Sequence, residues 1–200
     1  MLSRLALICR LTAATNLLHA AAMSSSAATE LSSGCKGAPL TGAKLPLPGT
    51  ESIMTQKAHG TTATPVRAPL RWSLPADLAN RICCHNRHYA EPRGSFLSTP
   101  FLAAQRGEAS TTFYDSVTGR PLFVAPVGRS WAEWEAESRA HGWPSFRDAE
   151  VIWEDVRVLP DGEAVSTAGT HLGHNLPDGK GNRYCINLVS VAAQPPTEAA

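Results

Sequence analysis

The chain has 200 residues with 18 Lys and Arg against 17 Asp and Glu, and its net charge of +1 offers no electrostatic case for a nucleic-acid partner. The length suits one domain with extra chain at an end. Charge is unevenly spread: residues 1–76 hold seven basic side chains (Arg4, Arg10, Lys36, Lys44, Lys57, Arg67, Arg71) and two acids (Glu30, Glu51), which leaves the remainder net acidic.

Residues 1–30, MLSRLALICRLTAATNLLHAAAMSSSAATE, set Leu, Ile and Ala against Arg4, Arg10 and His19 with no acid before Glu30. That composition predicts an amphipathic organellar transit peptide and a mitochondrial destination, because Arg10 breaks what would be the apolar core of a secretory signal. Translation from a later Met would leave the chain in the cytoplasm. The stretch is too short and interrupted to span a bilayer, so no stable membrane insertion is expected. Residues 31–70 are rich in Ser, Gly, Thr, Pro and Ala, and their few large apolar side chains predict a disordered linker.

From Arg71 the composition changes, and the folded domain is expected over residues 71–193, with 194–200 as a flexible tail. Ser73-Leu74-Pro75 offers an N-cap and an early proline for a short helix from Ala76 to Ile82. Cys83-Cys84-His85-Asn86-Arg87-His88 follows, dense in metal-ligand types. A structural zinc usually draws two ligand pairs separated by a loop, so the competing reading is a helix end with surface histidines.

Phe113 to Phe123 reads as strand, turn at Thr118-Gly119, strand. Ser130 to Ala140 predicts a helix with a Ser130 and Glu133 capping box, Trp131 and Trp134 on one face, and Gly142 and Pro144 ending it. Val151–Leu159 and Glu163–Thr167 flank Pro160-Asp161-Gly162 as a hairpin. The fold class expected is mainly antiparallel β with one or two peripheral helices.

The chemistry concentrates between Thr170 and Leu188, THLGHNLPDGKGNRYCINL. Pro177-Asp178-Gly179 and Gly181-Asn182 are turn signals, and Tyr184 to Val191 alternates as a strand. Period 2 puts Arg183, Cys185 and Asn187 on one face and Tyr184, Ile186 and Leu188 on the other. A lone strand cysteine is commonly a small buried apolar residue. Beside an Arg and within reach of His171 and His174, it becomes a candidate nucleophile whose thiolate the cation favours.

HLGH, an Asp-Gly and RYCIN together resemble the closing motif of the B-type methionine-R-sulfoxide reductases. TGRPLF at Thr118 to Phe123 and GWPSF at Gly142 to Phe146 resemble two further elements of that family, in the same order. The resemblance covers roughly residues 71 to 193. It implies two facing antiparallel sheets with the site between them. It further implies reduction of methionine R-sulfoxide by Cys185, with His174 as proton donor oriented by Asp178, and His171 as a second pocket histidine. Arg183 would favour the thiolate and anchor Asp178 or the reacting oxygen, Asn187 would hold local hydrogen bonds, and Trp143 would line the pocket for the methyl group.

Many such proteins carry zinc on two C-x-x-C pairs. Here the first pair's positions hold Asp115 and Thr118, and VSTAGT before His171 has no cysteine, which implies the zinc-free form with no cofactor. His141 stands where a cysteine often closes an internal disulfide, leaving Cys83, Cys84 and Cys35 as candidate resolving thiols and an external reductant such as thioredoxin as the alternative. Leu176 replaces a usual Phe, Leu188 a usual Ser, and the loop from Asp178 to Arg183 is short. The chain is expected to act as a monomer on free or protein-bound oxidised methionine. Three other readings remain on the residues alone: a metal-binding protein with His171 and His174 or residues 83–88 as ligands, a thiol hydrolase using Cys185, His174 and Asp178 as a triad, and a non-catalytic binding module.

Overall fold

A computed structural model of the chain describes residues 44–196; the transit-peptide segment, Cys35 and the end of the tail lie outside the described residues. The architecture is mainly antiparallel β. Strands β1 (Thr111–Tyr114) and β2 (Pro121–Ala125) form a two-stranded sheet. Strands β3 (Ser145–Phe146), β4 (Val156–Val158), β5 (Glu163–Ser166), β6 (His171–Asn175) and β7 (Tyr184–Ile186) form a second sheet in the order β3-β7-β6-β5-β4. Among the described residues no helix is long and apolar enough to cross a membrane.

The two sheets meet through aromatic rings. Phe146 of β3 packs edge-on against Phe113 of β1 at 5.0 Å and stacks on Phe123 of β2 at 4.4 Å, all three fully buried. Such pairs add about 0.5–1.5 kcal/mol each to the area they remove from water. Helix α1 (Ala76–Asn80) and short helix α2 (Phe101–Ala104) cap this core. Helix α3 (Trp131–His141) does so through buried Trp134, which stacks on Trp131 at 4.9 Å. The predicted capping box of α3 is present: Ser130 Oγ accepts from Glu133 N, and Ser130 N donates to the Glu133 carboxylate at 2.7 Å.

Three expectations change. Pro75, not Ser73, stands at the N-cap of α1, because Trp72 and Ser73 turn through positive φ (56° and 55°) just before it. The last strand stops at Ile186, and a 3-10 turn takes Leu188–Ser190. Residues 44–70 are not a linker. Val158 N donates to Leu47 O and Gly49 N to Val158 O, so this segment covers the free edge of β4, while Met54, Val66 and Leu70 are buried. Its few large apolar side chains all sit where packing needs them, which average composition hides.

Where the resemblance would place zinc-binding cysteines, oxygen groups take over. Asp115 is buried, and its carboxylate accepts from Thr170 Oγ1 (2.9 Å and 3.1 Å) and Val117 N (2.9 Å), tying the turn after β1 to the start of β6. Burial pushes the Asp115 carboxyl up, with the hydrogen bonds from Val117, Thr170, Ser166 and Thr118 acting the other way. Asp115→Ala leaves those enclosed donors without an acceptor. It is expected to cost about 2–4 kcal/mol in a urea or thermal unfolding experiment; an unchanged midpoint would show the cluster to be ornamental.

Candidate functional site

The site is built on register. In the antiparallel pairing of β6 with β7, His174 lies opposite Cys185, and on the other side of β7 Ser145 of β3 lies opposite Cys185 as well. Directly opposed residues project to the same face, with Cβ atoms about 4.5–5.5 Å apart, so imidazole, thiol and hydroxyl share one surface. Gly173 is required here because a Cβ on it would lie 2.0 Å from the Cys185 carbonyl oxygen.

A bulge then brings the second histidine round. Between β5 and β6 the pairing steps from Ala164↔Gly173 to Val165↔His171, leaving Leu172 unpaired. The slip breaks the alternation and puts the His171 and His174 rings 5.7 Å apart, edge to face. His171 Nδ1 meets Glu163 Oε1 at 2.6 Å, and Glu163 Oε2 accepts from Arg87 Nε at 2.8 Å. Glu163 and His171 are both buried. Burial pushes the Glu163 carboxyl up, but the hydrogen bonds from His171 and Arg87 outweigh it and hold it below its ordinary value. Burial lowers the His174 imidazole, as does neighbouring His171.

Arg183 reaches the sulfur directly, its Nη1 donating to Cys185 Sγ at 2.5 Å while Nε donates to Asp178 Oδ2 at 3.2 Å. The expected direction for the thiol nonetheless reverses. Burial raises Cys185 above the ordinary cysteine value; the Arg183 charge and hydrogen bonds from Ser145 and Arg183 offset only part of that, and Glu137 adds to it. Asn187 donates from Nδ2 to Leu172 O (3.1 Å) and accepts from Glu91 N at Oδ1 (2.9 Å). Half-buried Trp143 is held at the same residue, its Nε1 donating to Glu91 O at 3.0 Å.

Asp178 is not the orienting carboxylate for His174. It is exposed and accepts from both Arg147 Nη atoms (3.0 Å and 2.9 Å), Arg183 Nε and Lys180 N, and Arg147 holds its carboxyl well below the usual range. A Cys185, His174 and Asp178 triad therefore lacks its second link. Cys83 and Cys84 are likewise corrected as resolving thiols. Both are enclosed in the core, Cys83 donating to Ser190 Oγ at 3.4 Å, and burial raises both.

Glu163, Arg87, Glu91 and Arg147 were not singled out from the sequence. Glu163 opens a strand after Asp161-Gly162 and reads as a solvent-facing acid; only the bulge makes it a partner of His171. Beside Arg147 opens a cleft of about 680 Å³ lined by Arg129, Glu137, His141, Lys180 and Asn182, among others. Glu137, His141 and Asp178 bring ligand atoms within 4.8 Å of one another there. Arg129, Arg147 and Arg183 already neutralise those carboxylates, which disfavours a cation.

No family model matches the chain. It is similar to three proteins named peptide methionine sulfoxide reductase MsrB. The one from Leifsonia xyli is 41% identical over 68 residues, 28% of this chain and 49% of that protein. The Saccharophagus degradans protein is 35% identical over 88 residues (42% and 54%), and the Methanosarcina mazei protein 45% identical over 62 (25% and 43%). The chain thus spans about half the length of the curated relatives it matches. Over that shared part the chain is similar to the MsrB-type methionine sulfoxide reductases.

Proposed function

We propose that this chain reduces methionine sulfoxide of the R configuration to methionine by transferring its oxygen to Cys185. The observation that carries the reading is Cys185 opposite His174 of β6, with the Arg183 guanidinium donating to its sulfur. The names of its relatives point to the same substrate class.

His174, opposite Cys185 across β6 and β7, is the group assigned to take the proton from the half-buried thiol. Sγ attacks the sulfoxide sulfur, and the proton returns through His174 to the oxygen, where negative charge develops. In the net step Cys-SH becomes Cys-SOH and the sulfoxide becomes a thioether. Two electrons from an external dithiol such as thioredoxin then restore the thiol, and the oxygen leaves as water. The external source is preferred because Cys83 and Cys84, the other free cysteines among the described residues, are enclosed. Arg-rich, acid-poor residues 1–30 would direct this activity to the mitochondrion, which imaging of a tagged full-length chain tests.

Incubation with each sulfoxide epimer and dithiothreitol should give turnover of the R form alone, and one oxygen added to Cys185 when reductant is withheld. Turnover of the S form, or ester cleavage without oxygen transfer, would overturn the assignment. Arg183→Met removes the charge that partly offsets burial, so the thiol rises further. The rising limb of kcat/KM should move to higher pH, with activity at pH 7 falling about 10–100-fold. A limb that stays in place would mean that Arg183 does not act on the sulfur.

A further inference from the structure

We propose that His59 and His85 form a binding site for a divalent transition metal of the zinc class, pinning residues 57–62 to the turn Arg81–His85. Their Nε2 atoms face each other at 3.2 Å, with ring centroids 4.5 Å apart and planes crossing at 69°. Zinc binds imidazole nitrogen at about 2.0–2.1 Å, so two ligands in tetrahedral disposition sit about 3.3 Å apart. The observed separation is that bite. Asn80 Oδ1, which accepts from Val66 N at 3.0 Å, stands 3.2 Å from His59 Nε2 as a neutral oxygen.

The two rings are held in place before any ion arrives. Gly60 (φ 66°) lets the loop close onto the turn: a Cβ there would lie 1.9 Å from Cys84 O and 2.8 Å from His85 Nδ1. The loop is fixed by Thr61 N donating to Cys84 O at 2.8 Å, Thr61 Oγ1 to Gly169 O at 2.7 Å, and Lys57 Nζ to Ile53 O at 2.6 Å. Without an ion, one Nε2–H can donate to the other ring's Nε2; a bound cation replaces that single hydrogen bond with a bond to each nitrogen. His85 is exposed and His59 half-buried, so an ion can enter and water can complete its coordination. Among the described residues no guanidinium or ammonium hydrogen-bonds to either ring, in contrast to the carboxylates beside His141.

The test uses the full chain labelled with ¹⁵N histidine, with a phosphine reductant and Zn²⁺ as the probe. One equivalent should shift the Nε2 resonances of His59 and His85 together. At zinc about tenfold above its Kd, Tm should rise by about 3–6 °C. Both effects should vanish separately in His59→Gln and in His85→Gln, which keep a hydrogen-bonding side chain and so keep the fold, and persist in His141→Ala. Unmoved Nε2 signals, binding retained in either glutamine variant, or loss only in His141→Ala would overturn the proposal.

Discussion

Cys185→Ser is expected to lower kcat/KM for the R-sulfoxide by about 10,000-fold or more, the size of effect that removal of an attacking nucleophile produces. A serine hydroxyl fits the same place on β7 between His174 and Ser145, so the fold should survive with less than about 1 kcal/mol lost. The pair of readouts matters. Because burial raises the Cys185 thiol, the wild-type sulfur is mostly protonated before substrate arrives and should alkylate slowly at neutral pH, faster as pH rises. Residual turnover above about one part in a hundred in Cys185→Ser would place the attacking group elsewhere.

Glu163→Ala should produce the largest stability loss of any single change at the site. The carboxylate is 2% exposed and joins His171 Nδ1 to the Arg87 guanidinium. Deleting it strands a buried imidazole and a cation. A fully enclosed broken ion pair costs about 3–5 kcal/mol; Arg87 is 27% exposed and recovers some hydration, so about 2–4 kcal/mol is expected here. Activity should fall with it, since His171 loses the group that fixes its ring. The sign of the pH dependence follows from the lowered Glu163 carboxyl. Its contribution is present above the unfolded carboxyl's value and lost as pH falls through the folded one, so wild type and Glu163→Gln should converge in stability in acid. Parallel stability curves at all pH values would refute the linkage.

What was legible from residues alone was local. Turn dipeptides and the Ser130 capping box are set by neighbours a few positions apart, and the structure has each. The pairing of His171 with Glu163 depends on one unpaired residue in β6, and that of Glu163 with Arg87 on groups 76 positions apart in the chain. Neither leaves a mark in periodicity. Asp178 misled for a related reason: its place beside HLGH suggested a histidine partner, while Arg147, 31 positions upstream, holds it by two hydrogen bonds.

The strip formed by residues 47–49 along β4 has a practical bearing on how the protein is prepared. Trimming the chain at residue 71, where composition alone would cut, strips that cover and leaves the Val158 amide and carbonyl on the β4 edge unpaired. Such a shortened polypeptide would be inclined to zip onto copies of itself, and its turbidity would be mistaken for intrinsic insolubility.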